Sequence, residues 1–176
     1  MTDGFKQSLT QINNLMWVAL SLSFSLLLLD FSKPDLTILG ISVSSTRILI
    51  VGPIALVCIF LMRQLYIKNL IEIINRNDQK TELKEIVLAY PLIEFMRWRF
   101  KFGAELALLT AAQVIFEMVP AISLTVLWFI LRGRGTQALT VLLVADVTLI
   151  FLALWNYNSL RRGVFETLVG KIGTVD

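Results

Sequence analysis

Two carboxylates lie inside otherwise apolar stretches of this 176-residue chain. Glu117 falls in TAAQVIFEMVPAISLTV, and Asp146 falls in VLLVADVTLIFLALW. The apolar segments around both acids are long enough to cross about 30 Å of hydrocarbon as helices. A charged side chain within a membrane costs about 2.5 to 3.5 kcal/mol on insertion scales. The two acids are therefore the first candidates for a functional polar site within the membrane.

Helical spacing gives Glu117 two polar neighbours, because Thr110 and Gln113 fall on its face of the predicted third helix. The corresponding face around Asp146 is apolar. A short turn between the two helices would bring the acids to similar depth, although straight helices leave them about 9 Å apart along the axis. Two roles remain open. They are a structural hydrogen bond between helices, which stabilises by about 0.6 kcal/mol on average, and a path for ions or protons.

The composition of the whole chain is that of a membrane protein. Hydrophobic residues make up 56% of it, charged residues make up 16%, and the mean hydropathy is +0.75. The chain has no histidine, the commonest metal ligand and general base, and its single cysteine, Cys58, excludes an internal disulfide. No phosphate-binding glycine loop or nucleophile elbow occurs. We therefore predict no enzyme activity, no cofactor and no metal site.

The predicted fold is an all-α integral membrane protein with four transmembrane helices and short interfacial helices, forming one membrane domain over 1–176. The spans are predicted at about 13–30, 47–67, 105–131 and 137–157. Because the second apolar stretch ends at Arg63, we expect that guanidinium to reach the headgroups, which leaves both acids without a counter-ion inside any span. Ser44 or Ser45 is predicted to cap the second helix, and Pro53 and Pro120 predict helix bends.

The distribution of lysine and arginine predicts the orientation, since these residues collect on the cytoplasmic side. One side has twelve: Lys6, Arg63, Lys68, Arg76, Lys80, Lys84, Arg97, Arg99, Lys101, Arg161, Arg162 and Lys171. The other side has four: Lys33, Arg47, Arg132 and Arg134. We therefore predict a multi-pass protein of a bacterial-type inner (plasma) membrane with both termini in the cytoplasm.

Three segments outside the spans have patterns of their own. In the cytoplasmic segment 68–103, the second helix is predicted to continue until 75–78, and a short helix follows at about 81–89. The segment ILGISVSS predicts one short strand. The C-terminal tail 159–176 predicts an amphipathic helix on the membrane surface. The basic and aromatic residues before the third span predict contact with lipid headgroups or a partner: Arg97, Trp98, Arg99, Lys101 and Phe102.

Three functions remain open for such a chain. The first is oligomerisation, in one form as an ion- or proton-conducting pore subunit with the intramembrane carboxylates facing its interior. The second is a non-catalytic accessory or assembly subunit of a larger membrane complex. The least favoured is a carboxylate-dependent membrane enzyme, because no nucleophile, metal site or cofactor motif accompanies the acids. The predicted partners are membrane lipids and either further copies of the chain or a larger complex, and nucleic acid is not among them.

Overall fold

The computed structural model describes residues 2–31, 35–38, 41–77, 80–89, 107–132 and 136–169, without the side chains of 36–38, 41, 107–113 and 136. The elements in chain order are α1 (Thr2–Leu28), β1 (Asp35–Ile38), β2 (Ile41–Ser44), α2 (Ser45–Arg76), α3 (Lys80–Ala89), α4 (Ala107–Leu131), α5 (Thr136–Ser159), a π-helical segment (Leu160–Phe165) and α6 (Glu166–Val169).

Four helical stretches are long and apolar enough to cross a membrane: Thr2–Leu28, Ser45–Arg76, Val114–Leu131 and Gln137–Val169. The protein is therefore a helical protein with four candidate membrane spans, as the sequence predicts. The helices are longer than the apolar stretches within them. The 32 residues of α2, for example, extend about 48 Å at 1.5 Å per residue.

The long helices form a bundle in which α1 packs on α2 and α4, and α5 also packs on α2 and α4. Among the described residues, α2 and α4 therefore lie across a diagonal of the bundle. Helices α1 and α2 are antiparallel, because Asn69 donates a hydrogen bond to Ser8 near one end and Gly52 lies against Leu26 near the other. Helices α2 and α5 are parallel.

Two apolar clusters fill the bundle, one toward each end. We call the one near the β-strands the hairpin-side core and the one near α3 the α3-side core. The hairpin-side core includes Met16, Phe60, Ala121, Leu124, Leu149 and Ala153. The α3-side core includes Phe5, Ile12, Ile67, Leu83, Val87, Tyr157 and Phe165. Close van der Waals packing of these apolar side chains holds the helices against one another, as is usual between membrane helices.

The segment predicted to contain one strand forms an antiparallel pair, in which Asp35 faces Ser44 and Ile38 faces Ile41. Strand β2 is the predicted one, and its partner β1 was not predicted. Helix α2 follows β2 directly, with Ser44 at the N-cap position but without a side-chain cap hydrogen bond. The predicted end of α2 between 75 and 78 is confirmed at Arg76, and α3 begins one residue before its predicted start.

The described part of the C-terminal tail is helical, and its apolar face packs within the protein, while its location at the membrane surface stays a prediction. Helix α5 continues without a break into the π-helical segment and α6. Val164, Phe165 and Leu168 are buried in the α3-side core. The reason is that these apolar residues extend the buried face of α5, so packing against α2 and α3 covers them within the protein.

Candidate functional site

A buried ion pair joins the two helices that lie across the diagonal of the bundle. Arg63 of α2 donates from Nη1 to Oε2 of Glu117 in α4, and from Nη2 to Oε1 at 2.6 Å. The residues are 3% and 4% exposed, respectively. A bidentate arginine–carboxylate pair combines two charge-assisted hydrogen bonds in a fixed plane. This contact therefore fixes the distance and the rotation of α2 relative to α4 through the centre of the bundle.

The prediction that the Arg63 guanidinium reaches the headgroups is wrong, and so is the prediction that Glu117 has no counter-ion. Arg63 lies within the 32-residue α2, with 13 further helical residues after it. Arg63 is itself part of a stripe of buried residues spaced three and four positions apart, which includes Leu56, Phe60 and Ile67. Its side chain therefore points into the bundle, where a carboxylate compensates the cost of burying the charge.

Further polar side chains surround this pair between the two apolar cores, and we call the set the polar layer: Asn13, Arg63, Gln64, Glu117 and Asn156. On each of α1, α2 and α5, the polar residue lies between the last residue of one core and the first of the other. The antiparallel pairing of α1 with α2 places Asn13 at the level of Gln64. Asn156 Nδ2 donates to the carbonyl oxygen of Phe60 at 3.3 Å, which places α5 at the same level.

Four buried polar atoms in this layer have no hydrogen-bond partner among the described residues: Asn13 Oδ1, Arg63 Nε, Gln64 Oε1 and Asn156 Oδ1. Buried polar groups are satisfied in more than about 90% of cases, either by protein or by ordered water. These are three acceptors and one donor, which are the groups that ordered water satisfies. The layer therefore has the chemistry to hold water next to a fixed ion pair.

Asp146 has a different partner from Glu117. The Oγ1 atom of Thr125 in α4 lies 2.7 Å from Asp146 Oδ2 and 3.2 Å from the carbonyl oxygen of Ala121. Because one hydroxyl carries one hydrogen, Thr125 donates to only one of them at a time. Thr125 follows Glu117 by eight residues, about 12 Å along a helix. The two acids are therefore separated, and Asp146 takes part in an interhelical hydrogen bond of the structural kind.

The remaining predicted site residues fall partly outside the described structure. Thr110 and Gln113 lie in α4, but their side chains are outside the described set. The predicted headgroup contacts Arg97, Trp98, Arg99, Lys101 and Phe102 are also outside the described residues. Pro53 and Pro120 are buried within continuous helices, and the bends at these residues stay predictions. Each proline leaves one carbonyl of the preceding turn without its helical donor.

Two signals in the sequence indicate the contacts that the predictions missed. Arg63 continues the apolar spacing of α2 on both sides, and this spacing is the sign of a buried stripe. In two antiparallel helices, residues at similar distances from the connecting turn lie side by side. Counting in both directions from the turn between α4 and α5 therefore places Thr125 close to Asp146. Gln64 and Asn156 give a weaker signal, since each lies next to or within a buried stripe.

Among the described residues, no group of three or more His, Cys, Asp or Glu side chains is placed to hold a metal ion. Comparison of the chain with protein-family models, with curated proteins and with solved structures gave no match.

Proposed function

We propose that this chain is a non-catalytic subunit of a plasma-membrane assembly, which acts by associating with other transmembrane helices. The observation that carries the proposal is the ion pair between Arg63 and Glu117. It neutralises the central charges within one chain, so neither charge needs a lumen or a partner subunit. Asp146 has a hydrogen-bond partner for Oδ2 in Thr125, while its buried Oδ1 has none among the described residues. The polar groups thus specify how the bundle packs, and the outer surface is left for association.

The outer surface of the bundle supports this proposal. Large apolar side chains cover it, such as Leu65, Ile130 and Val144, each more than 60% exposed. A groove of about 370 Å³ lies between α2 and α5, and Cys58, Thr140, Ala145 and Thr148 are among the residues that line it. Small and hydroxyl-bearing residues permit close approach of a neighbouring helix in a membrane. We therefore place the association surface at this groove.

The proposed orientation has both termini in the cytoplasm of a bacterial-type cell. It is supported by the excess of basic residues on the side that contains α3. Removing the buried Arg63 from the twelve leaves eleven against four, so the direction of the bias is unchanged.

Cross-linking through Cys58 tests the association surface, because this residue is the only cysteine of the chain and is exposed at the groove. In native membranes, oxidation by oxygen with copper phenanthroline, which reaches thiols within the bilayer, should join Cys58 by a disulfide to a second copy or to a cysteine of a partner of constant mass. The matched control is Leu65→Cys in a Cys58→Ala background, since Leu65 is exposed on α2 and does not line the groove. Equal cross-linking at both positions, or at neither, would contradict the proposed surface.

A proton- or ion-conducting pore is the second candidate function. The unpaired atoms of the polar layer favour it, because water held between Asn13, Gln64 and Asn156 would extend the polar region across the bundle. Four helices enclose no roomy channel, so conduction would require several copies. Purified protein in liposomes loaded with a pH-sensitive dye decides between the candidates. Flux that is lost in the double variant Arg63→Met/Glu117→Met, which leaves no uncompensated buried charge, and kept in Glu166→Gln would favour the pore. No flux from the wild type favours the association subunit.

A further inference from the structure

A second groove lies between α2, α5 and the π-helical segment, with a volume of about 630 Å³. This is within the range of about 300 to 1,000 Å³ that is usual for small-molecule sites. Its walls are apolar where they are formed by Phe151, Leu154 and Trp155. Its other end is polar and is lined by Asn158, Ser159 and Arg162. The groove therefore changes from apolar to polar along the axis of α5.

This change in polarity coincides with the end of a predicted span. The apolar wall lies within 137–157, and the polar residues begin immediately after it. From Phe151 to Arg162 the distance along a helix is about 16 Å at 1.5 Å per residue. With the predicted span in the membrane, the apolar part of the groove would lie at the depth of acyl chains and the polar part at the depth of headgroups.

Arg162 supplies positive charge that nothing described in the chain neutralises. Its neighbour Arg161 donates from Nε to Glu166 at 3.1 Å. Arg162 is exposed and has no acidic partner among the described residues. An exposed guanidinium at the polar end of an apolar groove is complementary to a phosphate ester that carries a hydrocarbon chain.

The π-helical segment gives this groove a fixed floor. Gly163 lies so close to the side chain of Ile71 that an added Cβ would overlap its Cδ1 and Cγ1 atoms. The segment and α2 are therefore in close contact at Gly163, the residue after Arg162. Short π-helical turns within α-helices are frequent at functional sites. Here the turn lies where the wall changes from apolar to charged.

We propose that this groove binds one anionic phospholipid, with an acyl chain along Phe151, Leu154 and Trp155 and the headgroup phosphate on Arg162. The site shares no lining residue with the association groove, although it follows that groove along the same seam between α2 and α5, with Phe151 one turn after Thr148. The charge of Arg162 predicts that phosphatidylglycerol is preferred over phosphatidylcholine by about fivefold.

Quenching of Trp155 fluorescence measures occupancy directly, because this side chain lines the groove. The full-length protein is reconstituted in phosphatidylcholine vesicles that contain a small fraction of phosphatidylglycerol brominated on its acyl chains. A parallel sample contains brominated phosphatidylcholine instead. For the wild type and for each variant, the quenching due to Trp155 is obtained by subtracting the quenching measured in the same protein with Trp155→Phe. We expect stronger quenching by phosphatidylglycerol, and no effect of added inorganic phosphate on that preference.

Two variants separate headgroup recognition from chain binding. Arg162→Gln should remove the preference for phosphatidylglycerol, and Lys68→Gln should keep it, since Lys68 is an exposed cation of α2 that does not line the groove. Leu154→Gln should weaken quenching by both lipids, because it makes the apolar wall polar. Equal quenching by the two lipids, or a preference that survives Arg162→Gln, would overturn the proposal. The proposal would also be overturned if added inorganic phosphate abolished the preference, or if neither brominated lipid quenched Trp155.

Discussion

The ion pair between Arg63 and Glu117 is tested by replacing its members singly and together. Both residues are almost completely buried, so either single substitution leaves one uncompensated charge in the centre of the bundle. Breaking a buried pair in this way typically costs about 3 to 5 kcal/mol. Replacing both members with methionine removes both charges and keeps side chains of similar size. We therefore expect the double variant to lie within about 2 kcal/mol of the wild type.

The assay is the free energy of unfolding in mixed micelles with increasing denaturing detergent. The four proteins are the wild type, Arg63→Met, Glu117→Met and the double variant. The coupling free energy of the cycle should exceed about 3 kcal/mol, because the cost of each single change is the cost of the charge it leaves behind. If the two single costs simply add in the double variant, the side chains do not pair and the reasoning from the geometry fails.

Three further predictions concern contacts away from this pair. Thr125→Val removes the hydrogen bond to Asp146 and should lower the free energy of unfolding by about 0.6 kcal/mol. The control Thr148→Val should have almost no effect, since the Thr148 hydroxyl bonds only to Val144 of its own helix. Equal costs for the two substitutions would refute the interhelical bond. Gly52→Ala places a methyl group 2.8 Å from Leu26 Cδ2, and this overlap should cancel the gain of about 1 kcal/mol that alanine brings to a helix interior. In a Leu26→Ala background the same substitution should stabilise the protein, and an equal effect in both backgrounds would exclude this close contact. In a Cys58→Ala background, Asp35→Cys should react with an impermeant maleimide added outside intact cells. Lys80→Cys in the same background should react only after the cells are lysed. The reverse pattern would invert the proposed topology.

The sequence predicts the four spans well because twenty or so apolar residues have few alternatives to a membrane helix. It also predicts the end of α2 and the position of α3, where charged and polar residues interrupt helical spacing. Strand β1 was missed although Asp35, Leu36 and Thr37 alternate in polarity, because four residues give too short a pattern. The sequence predicts the amphipathic helix after Ser159 but not what covers its apolar face, because lipid and protein can both cover such a face and composition does not distinguish the two.

In the candidate site, the sequence predicts Glu117 but not its partner Arg63. An acid in the middle of an apolar run, such as Glu117, is conspicuous in any hydropathy profile. Arg63 is not, because a basic residue at the end of an apolar stretch is usually a headgroup contact. Only its position on the buried stripe of α2 distinguishes the two cases. The partner then depends on which helices lie across the diagonal, and that arrangement is a property of the packed bundle.

The most direct test of the account is a measurement of the Arg63–Glu117 contact within one chain in a lipid bilayer. Solid-state NMR can detect dipolar coupling between ¹⁵N-labelled guanidinium and ¹³C-labelled carboxylate groups, with the Arg63 signal identified by its loss in Arg63→Met. The labelled protein is diluted into an excess of unlabelled protein, so that only contacts within a chain remain. We predict that the coupling expected for groups one hydrogen bond apart persists on dilution. A coupling that is absent, or that disappears on dilution, would contradict the account.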